Sequence, residues 1–199
     1  MKIYKEIKQG TEEWHELRKG KMTASNAQAI ASNGKGLETY IYTLMAEKYS
    51  NNREKYTNSD MERGNDLEAS ARMTYEIERE KVEEVGFIEM DKYTGCSPDG
   101  LIGEDGGIEI KAPNDVIFFK LLLDGEKAID PKYRWQCQMF LLVSGRKWID
   151  FVAYNPNFDK NMLVFRIEPD LASQEKLIMG IEKGKTIIKS FEEKLKNIK

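Results

Sequence analysis

The sequence has few of the side chains that several kinds of functional site require. Among 199 residues there are two cysteines, Cys96 and Cys137, and one histidine, His15. Two cysteines are too few for a four-cysteine zinc or iron–sulfur site. A histidine without a histidine partner argues against a zinc site or a serine-type triad. Free thiols in a reducing compartment are the better expectation for the cysteines, although the pair would allow one disulfide.

Long apolar segments are also missing. No run approaches the roughly 20 apolar residues that cross a bilayer, and residues 1–6 lack the apolar core of a signal peptide. We therefore expect a cytoplasmic protein, in a bacterial or phage-infected cell, without a membrane partner. The net charge of −3 disfavours broad electrostatic wrapping of nucleic acid. It remains compatible with a local basic groove, or with an acidic pocket that metal ions neutralise.

The composition is that of a folded protein, with 40% hydrophobic and 33% charged residues, and we expect a single domain over residues 1–199. Apolar spacing predicts helices at residues 12–19, 26–31, 37–49, 64–80, 116–123 and 133–143. Strands are predicted at residues 82–90, 93–97, 101–102, 108–111, 147–154 and 162–167. This order predicts an α+β or mixed α/β domain, in which helices flank a mixed, mostly antiparallel central sheet.

The last thirty residues are predicted to form one long helix. Its apolar positions alternate steps of four and three and form a single stripe: Leu177, Ile181, Gly184, Ile188, Phe191, Leu195 and Ile198. Such a stripe needs a partner surface. Packing on the protein's own sheet is favoured by about two to one over a seam with another molecule.

A predicted hairpin brings two acidic residues and a lysine towards each other. The pair Asp105-Gly106 lies between short apolar strands, which is a strong hairpin signal. Successive strand residues point to opposite faces, so Glu109 and Lys111 share one face. The hairpin returns the chain so that Asp99 can approach Glu109, although the sequence leaves the register open by a residue or two.

These side chains suit a divalent metal ion. Neighbouring carboxylates in a partly buried site stay ionised when a cation lies between them. Asp99 and Glu109, with the carbonyl oxygen of Ile110, form a hard oxygen set that suits Mg²⁺ or Mn²⁺. Lys111 can orient an attacking water or stabilise charge on a phosphate. For Glu109 and Lys111 alone, a solvated edge pair is favoured by about ten to one; the turn residues around the hairpin shift that balance.

The spacing Pro98-Asp99…Glu109-Ile110-Lys111 is similar to the motif of the PD-(D/E)XK nucleases. Over most of residues 9–158 the chain resembles the phage lambda exonuclease family, the YqaJ-like viral recombinases. Sequence blocks that resemble the family appear in the family's order, at residues 9–25, 63–69, 97–113, and 133–139 with 154–156. The C-terminal helix lies outside the resemblance.

The resemblance implies a restriction-endonuclease-like core and a processive 5′→3′ exonuclease that acts on double-stranded DNA ends. It implies two Mg²⁺ ions per active site, for which Mn²⁺ substitutes. It also implies a ring-shaped homotrimer that threads DNA, and a partner protein that anneals the single strand left behind. By the same resemblance Asp99 would bridge both metals, Glu109 and the Ile110 carbonyl would complete one site, and Lys111 would serve the nucleophilic water.

The resemblance also assigns residues outside the hairpin. Glu68 corresponds to an additional acidic residue near the metals, and Gln138 to a glutamine that lies against the active site. Arg18 and Ser25 correspond to residues that grip a 5′-terminal phosphate, which suits the bidentate guanidinium and the N–H groups of a helix start. Simpler explanations are a helix-terminal charge for Arg18, a helix cap for Ser25 and an i,i+4 pair with Arg72 for Glu68.

Two other hypotheses remain open. One is a different nuclease with the same motif, either an endonuclease or a repair nuclease of different polarity; the four-cysteine cluster of some such relatives is absent here. The other is a non-catalytic module that binds DNA ends. A binding module has no need of a paired metal carboxylate set, so the residues Asp99, Glu109 and Lys111 count against it.

Overall fold

The computed structural model describes residues 1–50 and 59–198, without the side chains of residues 59–66, so the side chains of residues 63–66 in the second sequence block lie outside the described part. In chain order the described elements are β1 (Lys2–Tyr4), α1 (Glu12–Arg18), β2 (Met22–Thr23), α2 (Ala27–Ser32), α3 (Lys35–Tyr49), α4 (Ser59–Glu78), β3 (Phe87–Asp91), β4 (Thr94–Cys96), β5 (Gly100–Ile102), β6 (Gly106–Lys111), α5 (Asp115–Asp124), α6 (Pro131–Ser144), β7 (Trp148–Tyr154), β8 (Met162–Ile167) and α7 (Leu171–Lys196). None of these helices is long and apolar enough to span a membrane.

The described strands form two four-stranded sheets, in the orders β1-β3-β4-β2 and β5-β6-β7-β8. Each sheet is mixed. The pairs β2–β4 and β6–β7 are parallel, and the remaining pairs are antiparallel. The predicted α/β class with a mixed sheet flanked by helices is confirmed. The strands divide between two sheets, however, and β6–β7 is parallel because α5 and α6 supply the long crossover that a parallel pair requires.

Side-chain caps begin four of the described helices, and at the start of α5 Asn114 Oδ1 accepts from the N–H of Ile117 at 3.0 Å. Thr11 Oγ1 accepts a hydrogen bond from the backbone N–H of Trp14 at 3.3 Å, which starts α1 at the predicted place. Asp130 caps α6, whose first residue is Pro131, and Asp170 caps α7. Proline suits a first helical position because its missing N–H has no partner there.

The apolar stripe of α7 packs within the same molecule, mainly on helices and not on the face of a sheet as expected. Its buried side lies against α2 and α3. A Cβ added to Gly180 would lie 2.0 Å from the carbonyl oxygen of Ile30, and one added to Gly184 would lie 2.5 Å from Sδ of Met22. Gly180 therefore lets α7 approach the backbone of α2, and Gly184 makes room for the side chain of Met22.

The β5–β6 hairpin is held from behind by α6 and the residues that follow it. Its register pairs Gly100 with Ile108 and closes with a turn at residues 103–105. The Nη1 atom of Arg146 donates to the turn carbonyls of Gly103 at 2.9 Å and Gly106 at 2.6 Å. These hydrogen bonds satisfy the carbonyls at the turn end of the hairpin and hold it against the segment that follows α6.

Candidate active site

The hairpin register places Asp99 beside Glu109. Gly100 pairs with Ile108, so Asp99 is the residue immediately outside the paired segment, next to the position of Glu109 on β6. Oδ2 of Asp99 accepts a hydrogen bond from the backbone N–H of Ile110 at 2.6 Å. The approach of the two acidic residues, which the sequence predicts without a fixed register, is thus observed.

Glu109 lies deep in this cluster, with 2% of its surface exposed. Lys111 Nζ and Gln136 Nε2 both contact its Oε1 atom. Burial raises the pKa of Glu109 to about 7, and the Asp99 carboxylate adds to the rise, whereas Lys111 opposes it. Two acidic residues therefore share a site in which one is ionised only at a cost, as expected of a site built around a cation.

Lys111 remains protonated in these surroundings. Burial lowers its pKa, but the carboxylates of Glu109 and Asp99 outweigh burial and leave the pKa above its usual range. Its Nζ atom also lies 5.3 Å from the centre of the Tyr133 ring. The lysine is thus a fixed positive charge and hydrogen-bond donor at the edge of the carboxylate pair.

Glu68 approaches the same cluster from α4. Its pKa is raised by burial and, next, by the negative charge of Asp99, which places the two carboxylates within electrostatic range of each other. Arg72 Nη2 donates to Glu68 Oε1 at 2.6 Å, one helical turn away. The i,i+4 pair with Arg72 is therefore observed, and it holds Glu68 at the border of the cluster; the role of Glu68 beside a metal stays a prediction.

These residues fit a hard divalent cation that takes few protein ligands. Within the described residues, no three His, Cys, Asp or Glu side chains form a ready-made metal cluster. Mg²⁺ usually keeps several waters and takes only one or two carboxylates together with substrate phosphates. Asp99 and Glu109 are adjacent and supply two carboxylates. A cation bound between them would favour the ionised form of Glu109, whose pKa is raised by burial.

One predicted site residue lies elsewhere. Gln138 does not face the acidic cluster, because its amide is engaged on another side of α6. Its Nε2 donates to the carbonyl of Glu168 at 2.8 Å, and its Oε1 accepts from the N–H of Asp170 at 2.8 Å. The glutamine at the acidic residues is Gln136. Two residues on a helix that are two positions apart differ by about 200° in direction, so Gln136 faces Glu109 and Gln138 faces the segment before α7.

Arg18 and Ser25 line one cleft of about 680 Å³ between α1 and α3. The guanidinium of Arg18 lies 4.1 Å from the centre of the Trp14 ring, and Nη1 donates to Oγ of Ser97 at 2.8 Å. Ser97 precedes Asp99 by two residues, so Arg18 contacts the segment of chain that leads into the acidic hairpin. Burial lowers the pKa of Arg18, as expected of a cation held inside a cleft.

Ser25 is exposed and does not act as a helix cap. It lies in a short 3-10 turn, Ala24–Asn26, and neither this turn nor α2 has a side-chain capping hydrogen bond. The Ser25 hydroxyl instead lies 3.2 Å from that of Thr23. Two residues of this region were not predicted, Ser97, which contacts Arg18, and Tyr40, which lines the cleft. Ser97 lies in the third sequence block that resembles the family, whereas no feature of the sequence around Tyr40 indicates a role.

The family match and the structural neighbours identify the protein as a DNA nuclease. Residues 13–147 match the YqaJ-like viral recombinase domain, and the chain belongs to that family. It is 32% identical to an alkaline exonuclease, LHK-Exo from Laribacter hongkongensis, with a TM-score of 0.81 over 95% of this chain and 100% of that one. The complex of LHK-Exo with dAMP gives 33% identity and a TM-score of 0.85 over 94% and 97% of the two chains.

A more distant structure shares the fold. A phage-related exonuclease from Haemophilus somnus 129PT is 14% identical, with a TM-score of 0.67 over 88% of this chain and 96% of that chain. None of the curated proteins compared with the chain matches it.

Proposed function

We propose that the protein is a Mg²⁺-dependent 5′→3′ exonuclease that resects linear double-stranded DNA in a phage-type recombination system and leaves 3′ single strands. The observation that carries the proposal is the grouping of Asp99, Glu109 and Lys111 on one hairpin, beside a cleft that contains Arg18. The similarity to LHK-Exo supports an exonuclease, and the dAMP bound in that relative is a deoxynucleoside monophosphate, the kind of product such a reaction releases.

Two Mg²⁺ ions would be held by Asp99, Glu109 and the carbonyl oxygen of Ile110, and Mn²⁺ would substitute. Bound there, the ions supply Lewis-acid stabilisation of the phosphate oxygens and an activated water. Lys111, which keeps its proton, donates a hydrogen bond towards the attacking water and stabilises charge on the phosphate. Glu68 adds a carboxylate at the border of the site.

Arg18 and Ser25 are proposed to bind the 5′-terminal phosphate. A guanidinium matches a phosphate with paired N–H donors, and Ser25 is exposed on the same cleft. The contact of Arg18 with Ser97 connects this cleft to Asp99 through two residues of chain. A terminal phosphate held in the cleft would therefore place the adjacent phosphodiester towards the carboxylates.

The test is a time course on linear duplex labelled separately at each 5′ and 3′ end, with closed circular duplex as a second substrate. We expect the 5′ label to be released first in Mg²⁺, and the circle to stay intact. Early release of the 3′ label would overturn the polarity, and cutting of the circle would support an endonuclease. Binding of DNA ends without hydrolysis in either metal would support a non-catalytic module.

The family resemblance also underlies the proposed assembly. We propose that residues 1–199 form one domain, that three copies form a ring around DNA, and that a single-strand annealing protein acts with the nuclease in the cytoplasm. Sedimentation equilibrium measures the number of copies directly, and a monomer at working concentration would remove the ring. Co-purification with an annealing protein encoded beside this nuclease would support the partner.

A further inference from the structure

The cleft that contains Arg18 also contains a row of hydroxyl groups. The side chain of Tyr40, on α3, lines this cleft together with Thr23 and Ser25. The Tyr40 hydroxyl accepts a hydrogen bond from the backbone N–H of Thr23 at 3.2 Å. The hydroxyl oxygens of Thr23 and Ser25 are 3.2 Å apart. Tyr40 is thus linked to Thr23 through a backbone N–H, and Thr23 to Ser25 through their hydroxyls. We call these three hydroxyls the hydroxyl row, which is buried at Thr23 and exposed at Ser25.

Charge alone gives this cleft little selectivity for an anion. Its lining carries as many carboxylates as cations: Glu12, Glu16, Glu47, Arg18, Lys19 and Lys21. The long-range charges therefore largely cancel, and an anion that enters has to be recognised by directed hydrogen bonds near Arg18. The hydroxyl row supplies neutral hydrogen-bond donors that line the same cleft as Arg18.

The row has a surplus of donors. Burial raises the pKa of Tyr40, so its phenol keeps its proton. The phenol oxygen is already an acceptor for Thr23 N–H, and the Ser25 oxygen accepts from Asn26 Nδ2 at 3.5 Å. Each hydroxyl has one proton to donate. The three hydroxyls have three O–H protons and the Thr23–Ser25 contact uses one of them, so the row can offer an O–H to an anion in the cleft.

We propose that Tyr40 is a specificity-determining residue that orients this hydroxyl row towards a terminal phosphate, so that the enzyme distinguishes phosphorylated from hydroxyl DNA ends. The proposal rests on the proposed phosphate site at Arg18 and Ser25. Tyr40 is half-buried, and its phenol oxygen holds the N–H of Thr23, whose hydroxyl contacts that of Ser25. Without the phenol oxygen, the N–H of Thr23 loses its partner and the row loses one donor.

The test is a comparison of Tyr40→Phe with wild type on linear duplexes that differ only in a 5′-phosphoryl or 5′-hydroxyl end. The substitution keeps the ring and removes the oxygen. Tyr42→Phe is the matched control, because Tyr42 lies on the same helix with 65% of its surface exposed. We expect Tyr40→Phe to reduce the phosphoryl-to-hydroxyl ratio of kcat/KM by about tenfold, and Tyr42→Phe to keep the wild-type ratio.

A purely structural role would lower both rates together and leave the ratio unchanged, which would overturn the proposal. A variant too unstable for kinetics is measured by fluorescence anisotropy in chelator, at low temperature, as the ratio of Kd values for the same two duplexes. A wild-type enzyme that treats both ends alike would remove the phosphate site and, with it, this role of Tyr40. Wild-type discrimination that persists in Tyr40→Phe overturns the role of Tyr40 alone.

The row also predicts coupling. If Tyr40 acts through Thr23 on Ser25, Tyr40→Phe and Ser25→Ala disrupt the same set of hydrogen bonds. The double variant will then have about the same phosphoryl-to-hydroxyl ratio of kcat/KM as the single variant with the lower ratio. Multiplicative losses would show that the two hydroxyls act independently and would overturn the row as a positioning device.

Discussion

Gln136 Nε2 and Lys111 Nζ share one oxygen, Oε1 of Glu109. The amide comes from α6 and the ammonium from the same strand as the carboxylate, so donors from two elements orient one buried acidic residue. Two hydrogen bonds to one carboxylate oxygen fix the position of that side chain. Residues that ligate metals are commonly oriented by hydrogen bonds of this kind.

Gln136→Ala is expected to reduce kcat by about 10- to 100-fold, because groups that orient metal ligands contribute on that scale. Gln138→Ala is the matched variant on the same helix. It removes two hydrogen bonds to the chain that leads into α7, so we expect a loss of about 1–3 kcal/mol of unfolding free energy and a kcat close to wild type. Steady-state rates and urea unfolding measure both effects, and equal kcat losses would contradict the assignment.

Metal binding should be visible without catalysis. Because a cation would relieve the repulsion between Asp99 and Glu109, Mg²⁺ should stabilise the folded protein, by about 2.7 kcal/mol at a hundredfold excess over Kd. Asp99→Ala should abolish both this shift and the digestion of linear duplex. Asp105→Ala, an acidic residue that pairs with Lys147 at the hairpin turn, should keep both. Thermal unfolding with Mg²⁺ or chelator decides, and a full shift in Asp99→Ala would exclude this residue as a ligand.

A buried carboxylate ties α4 to the second sheet. Asp150 is 0% exposed and accepts from the Tyr75 hydroxyl at 2.7 Å and from Arg166 Nε at 2.8 Å. Tyr75→Phe leaves the carboxylate with one partner fewer, so we expect a loss of about 1–3 kcal/mol. Tyr49→Phe, at an exposed tyrosine, should be neutral. Chemical denaturation compares the two, and equal stabilities would show that the Tyr75 bond contributes nothing net.

The stability should depend on pH through Glu89. The hydrogen bond from Lys21 lowers the pKa of Glu89, and that from Tyr4 adds to the effect. The ionised form therefore stabilises the fold above the unfolded pKa of about 4.3, and this stabilisation is lost as the pH falls through the lower folded value. Glu89→Gln should cost about 1 kcal/mol near pH 7, with a difference from wild type that shrinks below pH 4. A constant difference in urea titrations at both pH values would contradict this.

Local sequence signals predicted much of what positions the acidic residues. The cap at Thr11 and the hairpin around Gly106 are decided by nearby residues, and both were confirmed. The strands β1 and β2 were not predicted, since they have only three and two residues. Such short strands exist because distant strands offer hydrogen bonds, and no periodicity marks them.

The remaining differences between expectation and structure concern the direction of one side chain and the packing partner of one helix. A pattern with two glutamines in three positions does not tell which one faces a strand, because that depends on how α6 is rotated against β6. The partner of the α7 stripe is likewise a property of the assembled fold. Any apolar surface of suitable length would satisfy the pattern, and here helices supply it.

The packing of α7 at its glycines predicts how a shortened protein that lacks this helix would behave. The family match ends at residue 147, and a fragment cut there would keep every acidic residue proposed for the reaction. It would nevertheless lose β7, the parallel neighbour of β6, and the helix on which Met22 rests at Gly184. Met22 adjoins Thr23, so the loss of α7 would also remove the packing behind the hydroxyl row. The fragment would keep the acidic residues but lose the elements that hold them in position.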